Sequence, residues 1–177
     1  GNVKPVSELE GMKIDQVCIG SCTNSSMLDM LTVAAMLKGK TVHPDVSLSI
    51  SPGSKQVYTM LAECGALADM IAAGARILEC ACGPCIGMGF SPKSAGVSLR
   101  TFNRNFEARS GTADAKVYLV SPEMAAASAI AGKFTDPHSL GNAPEIRIPS
   151  HFLINDNLIE MPATEEEAAS VTVERGP

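Results

Sequence analysis

The chain has 177 residues, of which 45% are hydrophobic, and a net charge of −5. A chain of this length buries roughly 70% of its unfolded surface without disulfide staples, and this composition excludes a disordered polypeptide. The acidic balance, the absence of Trp and the 4% aromatic content argue against nucleic-acid binding, and no apolar run approaches a membrane span. Charged residues are sparse at 19%, which points to surfaces that other domains cover. Six Cys in such a chain point to metal or redox chemistry in a reducing compartment, so a cytoplasmic location is expected. The chain starts at Gly1 without Met or a secretory leader pattern and reads as a processed piece of a longer protein.

Residues 1–11 read as a linker. Residues 14–19 form a short apolar run and predict a buried strand, broken by Gly20–Ser21–Cys22. Thr23, Asn24, Ser25 and Ser26 are all good N-caps, and a helix is predicted over 25–38, closed by Gly39. Strict alternation over 46–50 predicts a half-buried strand. Ser51–Pro52–Gly53–Ser54 turns the chain into a helix over 55–64, and a second helix over 66–73 ends at Gly74. A third strand over 75–79 runs into Glu79–Cys80–Ala81–Cys82–Gly83–Pro84–Cys85. Strands follow over 97–102 and 116–120. Ser121–Pro122–Glu123 then starts an Ala-rich helix that stops at Gly132. Residues 135–177 read as an irregular tail with strand-like pieces at 145–148 and 151–154 and one acidic turn at 164–169.

Strands alternating with helices predict an α/β fold: a three-layer sandwich with a mostly parallel sheet and helices on both faces, spanning residues 12–134. Ligands of such sheets sit at the carboxyl ends of the strands. The Cys22 turn, the Cys82–Cys85 turn and residues 103–109 each follow a predicted strand, so they are expected at one edge.

Cys82 and Cys85 form a Cys-x-x-Cys pair set by Gly83 and Pro84, and Cys22 adds a thiol from a distant turn. Cys18 and Cys64 read as small buried hydrophobes, and Cys80 is ambiguous. A thioredoxin-like dithiol has the same Cys-Gly-Pro-Cys tetrapeptide. Here no Trp precedes it, and Gly87, Gly89 and Pro92 interrupt a following helix. A structural zinc site commonly takes two Cys pairs, and the second is missing unless Cys22 and Cys64 are recruited. Three clustered thiolates without a fourth fit a cubane iron–sulfur cluster with one iron open as a Lewis acid. Arg104 and Arg109 follow a strand beside this site. Guanidinium pairs bind carboxylates bidentately, so a di- or tricarboxylate is the expected ligand, with Ser21 a further hydrogen-bond donor. His43, His138 and His151 lie away from these motifs.

Five stretches in order resemble the aconitase superfamily: Gly20–Ser21–Cys22–Thr23–Asn24–Ser25, Ser51–Pro52–Gly53–Ser54, Ala81–Cys82–Gly83–Pro84–Cys85, Asn103–Arg104–Asn105–Phe106 and Val120–Ser121–Pro122–Glu123. The resemblance runs from about Val17 to Gly132. It implies that Cys22, Cys82 and Cys85 are the ligands of a [4Fe-4S] cluster and that Asn103 hydrogen-bonds nearby. It implies that Arg104, Arg109 and Ser21 bind substrate. The implied reaction is dehydration and rehydration of a hydroxy acid. The Cys-Gly-Pro-Cys form and the tail look more like aconitase, acting on citrate and isocitrate, than like homoaconitase or isopropylmalate isomerase. The family usually has Gly where this chain has Ala108, before the second arginine. The family's catalytic serine lies on a later swivelling domain, to which residues 135–177 would lead, and its catalytic His, Asp and Glu lie on earlier domains. The resemblance therefore implies no catalytic base in this chain, an inactive isolated segment, and the remaining domains of the same enzyme as partners.

Overall fold

A computed structural model of the chain shows five strands: β1 (Gln16–Gly20), β2 (Ser47–Ser51), β3 (Arg76–Ile77), β4 (Val97–Arg100) and β5 (Lys116–Leu119). They form one all-parallel sheet in the order β3-β2-β1-β4-β5. The structure describes residues 2–174 and 176; Gly1 of the expected linker and Arg175 and Pro177 of the expected tail lie outside the described residues. The helices are α1 (Val6–Leu9), α2 (Met27–Leu37), α3 (Lys55–Glu63), α4 (Ala66–Ala72), α5 (Pro122–Ala131) and α6 (Glu165–Ser170). The α/β class and the parallel sheet are as expected.

The strand order reverses beside β1. The chain moves one way to β2 and β3, then returns to β4 and β5 on the other side. Right-handed crossovers put the two sets of connections on opposite faces. The first set is helical: α2, α3 and α4 bury Met30, Val33, Leu61 and Met70 in one cluster with Val17, Ile19, Leu48, Ile50 and Leu99. After β5 the chain returns to this face, and α5 adds Met124, Ala125 and Ala129. The second set, residues 78–96 and 101–115, is loop with a single 3-10 turn at Pro84–Ile86. It covers the opposite face, where Cys18 pairs in register with Ser49 and Arg100.

Ser49 and Ser51 are therefore buried, at 1% and 2% exposure, and β2 is covered on both faces rather than half-buried. Its alternation separates two kinds of covering layer, as a parallel sheet allows. β3 is shorter than expected because the Leu78 N–H donates to the Ile50 carbonyl and the chain then leaves the sheet edge. α2 starts after Ser26, whose hydroxyl forms a capping box with Asp29. Ser25 instead turns its hydroxyl onto the Ser21 carbonyl. α5 keeps its expected frame, with Ser121 capping, Pro122 in the first turn and Gly132 closing.

At the amino end, Val6 and Leu9 of α1 pack on the core. Across residues 141–174 only Ile146, Pro149 and Leu153 are even half-buried. The pieces at 145–148 and 151–154 form no strand: Pro144 and Pro149 bracket the first and remove ladder donors there. The acidic turn forms as α6, capped by Thr164 with Glu167. Among the described residues no helix is long and apolar enough to cross a membrane.

Candidate functional site

β1 ends in a tight left-handed turn. Gly20 has φ +97°, and a Cβ there would stand 2.0 Å from the Ser51 carbonyl oxygen, so no side chain fits. Ser21 (φ +80°) and Asn24 (φ +53°) are also left-handed, a conformation that costs a non-glycine residue roughly 1–2 kcal/mol. Neighbouring strand ends hold this turn. The Ser21 N–H donates to the Ser51 carbonyl at 2.8 Å. The Gly20 N–H donates to Thr101 Oγ1 at 2.8 Å, and Asn24 Nδ2 donates to the Thr101 carbonyl at 2.5 Å. The strained turn is thus fastened to both β2 and β4, and it presents Ser21 and Cys22.

The loop after β3 brings the other two thiols. Ser21 Oγ lies 3.0 Å from Cys85 Sγ and 3.8 Å from Cys82 Sγ. Cys82 and Cys22 are exposed, whereas Cys85 is buried with Cys18, Phe90 and Phe102. Hydrogen bonding to Thr23 holds the Cys22 thiol below its ordinary range, and contacts to Cys82 and Ser21 act the same way. Burial pushes the Cys85 thiol up; Ser21 opposes this and the neighbouring Cys82 and Cys22 thiols reinforce it. Burial pushes Cys18 up to about 11, which keeps it a neutral thiol behind Cys85. The structure therefore brings together Ser21, Cys22, Cys82 and Cys85, as the motif spacing predicts.

The arginine segment is adjacent. A Cβ on Gly87 would stand 2.1 Å from the Ser110 carbonyl oxygen, so the thiol loop and residues 106–111 touch backbone to backbone. Arg109 packs its guanidinium 5.3 Å from the centre of the Phe106 ring, and its buried Nε has no hydrogen-bond partner. It lines a hollow of about 220 Å³ with Asn105, Phe106 and Thr112. The three thiols are not part of that hollow. Arg104 and Asn103 are exposed. Ala108 has φ +64°, so the position before Arg109 is left-handed and is held there without glycine.

One thiol expectation changes, and one open case is placed. Cys64 is exposed, not a buried hydrophobe, because it sits at the C-cap of α3 on the solvent side. Cys80 is half-buried; burial raises its pKa, with Glu79 adding to the effect. Sequence reading missed Arg100, which is 1% exposed and grips the loop carrying Cys85. The available signal was a charged residue inside an otherwise apolar central strand.

The thiols stand at the carboxyl ends of parallel strands, beside the point where strand order reverses, where α/β sheets bind ligands. Exposed Ile86, Met88 and Phe106 rim the site. Among the described residues no three His, Cys, Asp or Glu side chains are grouped tightly enough to ligate one metal ion together. Two soft thiol donors on the Ser21 hydroxyl, with Cys22 on the same turn beside them, fit an iron–sulfur cluster, whose irons take one thiolate each.

Fold and site thus define an α/β ligand-binding domain built around a set of soft metal donors. Residues 2–132 match the aconitase family (aconitate hydratase), and the chain belongs to that family. It is 45% identical over 140 residues to a probable 3-isopropylmalate dehydratase large subunit from Methanothermobacter thermautotrophicus, covering 78% of this chain and 33% of the relative. It is 47% identical over 137 residues to 3-isopropylmalate dehydratase large subunit 1 from Methanopyrus kandleri, covering 77% and 33%. A 3-isopropylmalate dehydratase large subunit from Sulfurihydrogenibium sp. is 44% identical over 147 residues, covering 82% and 34%. The chain spans about a third of the length of these relatives. Their names weigh against the expected preference for aconitase proper. The Cys-Gly-Pro-Cys form and the tail on which that preference rested are short local features.

Proposed function

We propose that this chain is the cluster-bearing domain of an iron–sulfur hydro-lyase that acts on 3-isopropylmalate or a close hydroxy diacid. The carrying observation is the meeting of Ser21, Cys22, Cys82 and Cys85 at the switch point of the sheet. Cys22, Cys82 and Cys85 hold a [4Fe-4S] cluster, which when bound supplies a Lewis-acidic iron towards the substrate hydroxyl. Ser21 orients the thiol set from between Cys82 and Cys85. Arg109 already packs over the Phe106 ring with an unsatisfied Nε, so it meets a carboxylate with little further ordering. Arg104 takes the second carboxylate, and Asn103 donates near the cluster.

Among the described residues no acid–base pair accompanies these groups, and the proton-moving residues come from elsewhere in the enzyme. Residues 12–134 are the cluster domain, residues 1–11 lead into it, and residues 135–177 lead to a swivelling domain. The exposed apolar rim of Ile86, Met88 and Phe106 is the surface the remaining domains or subunits close over. The enzyme is cytoplasmic.

The test is turnover. The complete enzyme carrying this chain is expected to dehydrate 3-isopropylmalate with kcat/KM about tenfold or more above that for citrate. The 177-residue chain alone is expected to give none. Preference for citrate overturns the substrate, and turnover by the chain alone overturns the division of labour.

A further inference from the structure

Arg100 belongs neither to the apolar core nor to the proposed substrate arginines, yet it is one of the most deeply buried side chains of the protein, at 1% exposure. It leaves β4 on the loop-covered face. Its Nε donates to Ser98 Oγ at 3.1 Å and its Nη1 to the Pro84 carbonyl at 2.5 Å. Its Nη2 donates to Gln16 Oε1 at 2.8 Å and to the Phe90 carbonyl at 3.0 Å. Every acceptor is neutral. No carboxylate pairs with Arg100 among the described residues. A desolvated cation without an anion is one of the costliest arrangements a protein interior can hold.

The place of this charge suggests its partner. Pro84 and Phe90 bracket Cys85, so Arg100 clamps both ends of the loop that carries the buried thiol. Its guanidinium lies 5.6 Å from the centre of the Phe102 ring, and Phe102 and Phe90 pack with Cys85 itself. The cation is therefore installed directly behind the innermost thiol, in a site closed to water.

We propose that Arg100 is a positioning residue and buried counter-charge for the cluster, fixing the Cys85 loop from behind and raising the cluster's reduction potential. This rests on the reading that Cys22, Cys82 and Cys85 hold the cluster. The anion that Arg100 lacks arrives with the thiolate-bound cluster. A fixed positive charge favours the reduced, more negative state, so its removal lowers the potential.

The experiment is anaerobic iron–sulfide reconstitution of the full chain as wild type, Arg100→Lys, Arg100→Gln and Arg100→Met, with iron content and reduction potential measured on each. Arg100→Lys keeps the charge but loses the planar fork, so it is expected to keep the potential and lose iron faster. The neutral variants are expected to shift the potential downward by about a tenfold change in the oxidised-to-reduced equilibrium, ~59 mV for a one-electron couple. A purely structural arginine moves iron retention without moving potential. Loaded neutral variants with the wild-type potential therefore overturn the counter-charge while leaving the cluster reading intact. Arg100→Met fills the same space without polar atoms and serves if Arg100→Gln does not fold. A wild-type chain that takes up no iron overturns the cluster reading and this inference with it.

Discussion

On one face of the sheet Val17, Ile19, Leu48, Ile50 and Leu99 meet the helices; on the other Gln16, Cys18, Ser49, Ser98 and Arg100 meet two loops. The same strands supply both rows, one residue out of phase. The helical face gains stability from non-directional burial, and its residues need only fit. The loop face works through directed bonds. Gln16 Nε2 donates to the Phe90 and Ser91 carbonyls, and Arg100 reaches Pro84 and Phe90. A helix placed there would spend its carbonyls on its own ladder and offer none to these side chains. Loops in place of helices leave free acceptors, and they let the chain bring three thiols to the edge of the sheet. Stability and site construction are thus divided between the two faces.

This division is open to attack by mutation. The largest expected effect is on the helical face: Leu99→Ala removes a fully buried side chain and should cost about 3 kcal/mol, read by denaturant unfolding. Below its midpoint that variant should still take up iron like wild type. Next is the turn that presents Cys22. Asn24→Ala loses the bond to Thr101 and leaves alanine in a left-handed conformation, for about 2 kcal/mol in total. Asn24→Gly keeps the conformation at no steric cost and should lose about half of that, so equal losses would break the assignment of strain to this turn. Smaller and opposite in sign is Ala108→Gly, which relieves φ +64° and should stabilise the chain by up to about 1 kcal/mol. Unchanged or lower stability there would show that the Arg109 turn is held without strain.

The smallest effect is electrostatic. Burial alone pushes the Asp15 carboxyl up, but its bonds to Lys93 (2.6 Å) and the Val97 N–H (2.8 Å) outweigh that and hold it below the ordinary range. The folded pKa is below the unfolded one, so the stabilisation is present above ~pH 4 and is lost as pH falls through the folded value. Asp15 is about a third exposed and Lys93 more so, so Asp15→Asn should cost only about 0.5 kcal/mol at neutral pH. The difference from wild type should close on acidification, and a gap that widens in acid would contradict the sign.

Much of the fold was legible because periodicity and caps are local. The five strands, the Ser121–Pro122 helix start and the acidic turn at Thr164 all follow from short-range patterns. The meeting of the Cys22 and Cys82–Cys85 turns was legible because a parallel sheet gathers its strand ends. The character of the second layer was not. Ser47–Ser51 alternates whether its polar face meets water or a loop, so sequence could not show that Ser49 is buried. Arg100 read as a strand residue because its partners are neutral: two loop carbonyls, which carry no residue signature, and Ser98 and Gln16, which mark no charge pair. Cys64 read as buried because a free Cys is by default a small buried hydrophobe, and nothing local in the sequence shows that the C-cap of α3 faces solvent. The preference for aconitase over isopropylmalate isomerase rested on a four-residue turn and the tail, whereas the relatives similar over more than three quarters of the chain carry the name 3-isopropylmalate dehydratase.

The most direct measurement is anaerobic iron–sulfide reconstitution of the chain and of Cys82→Ser, read by visible absorbance, EPR and metal analysis. The account predicts iron and sulfide bound in equal amounts by the wild type, a three-iron EPR signal on mild oxidation, and loss of both in Cys82→Ser. Stoichiometric zinc, or an iron-free chain whose Cys82 and Cys85 cycle as a disulfide, would contradict it.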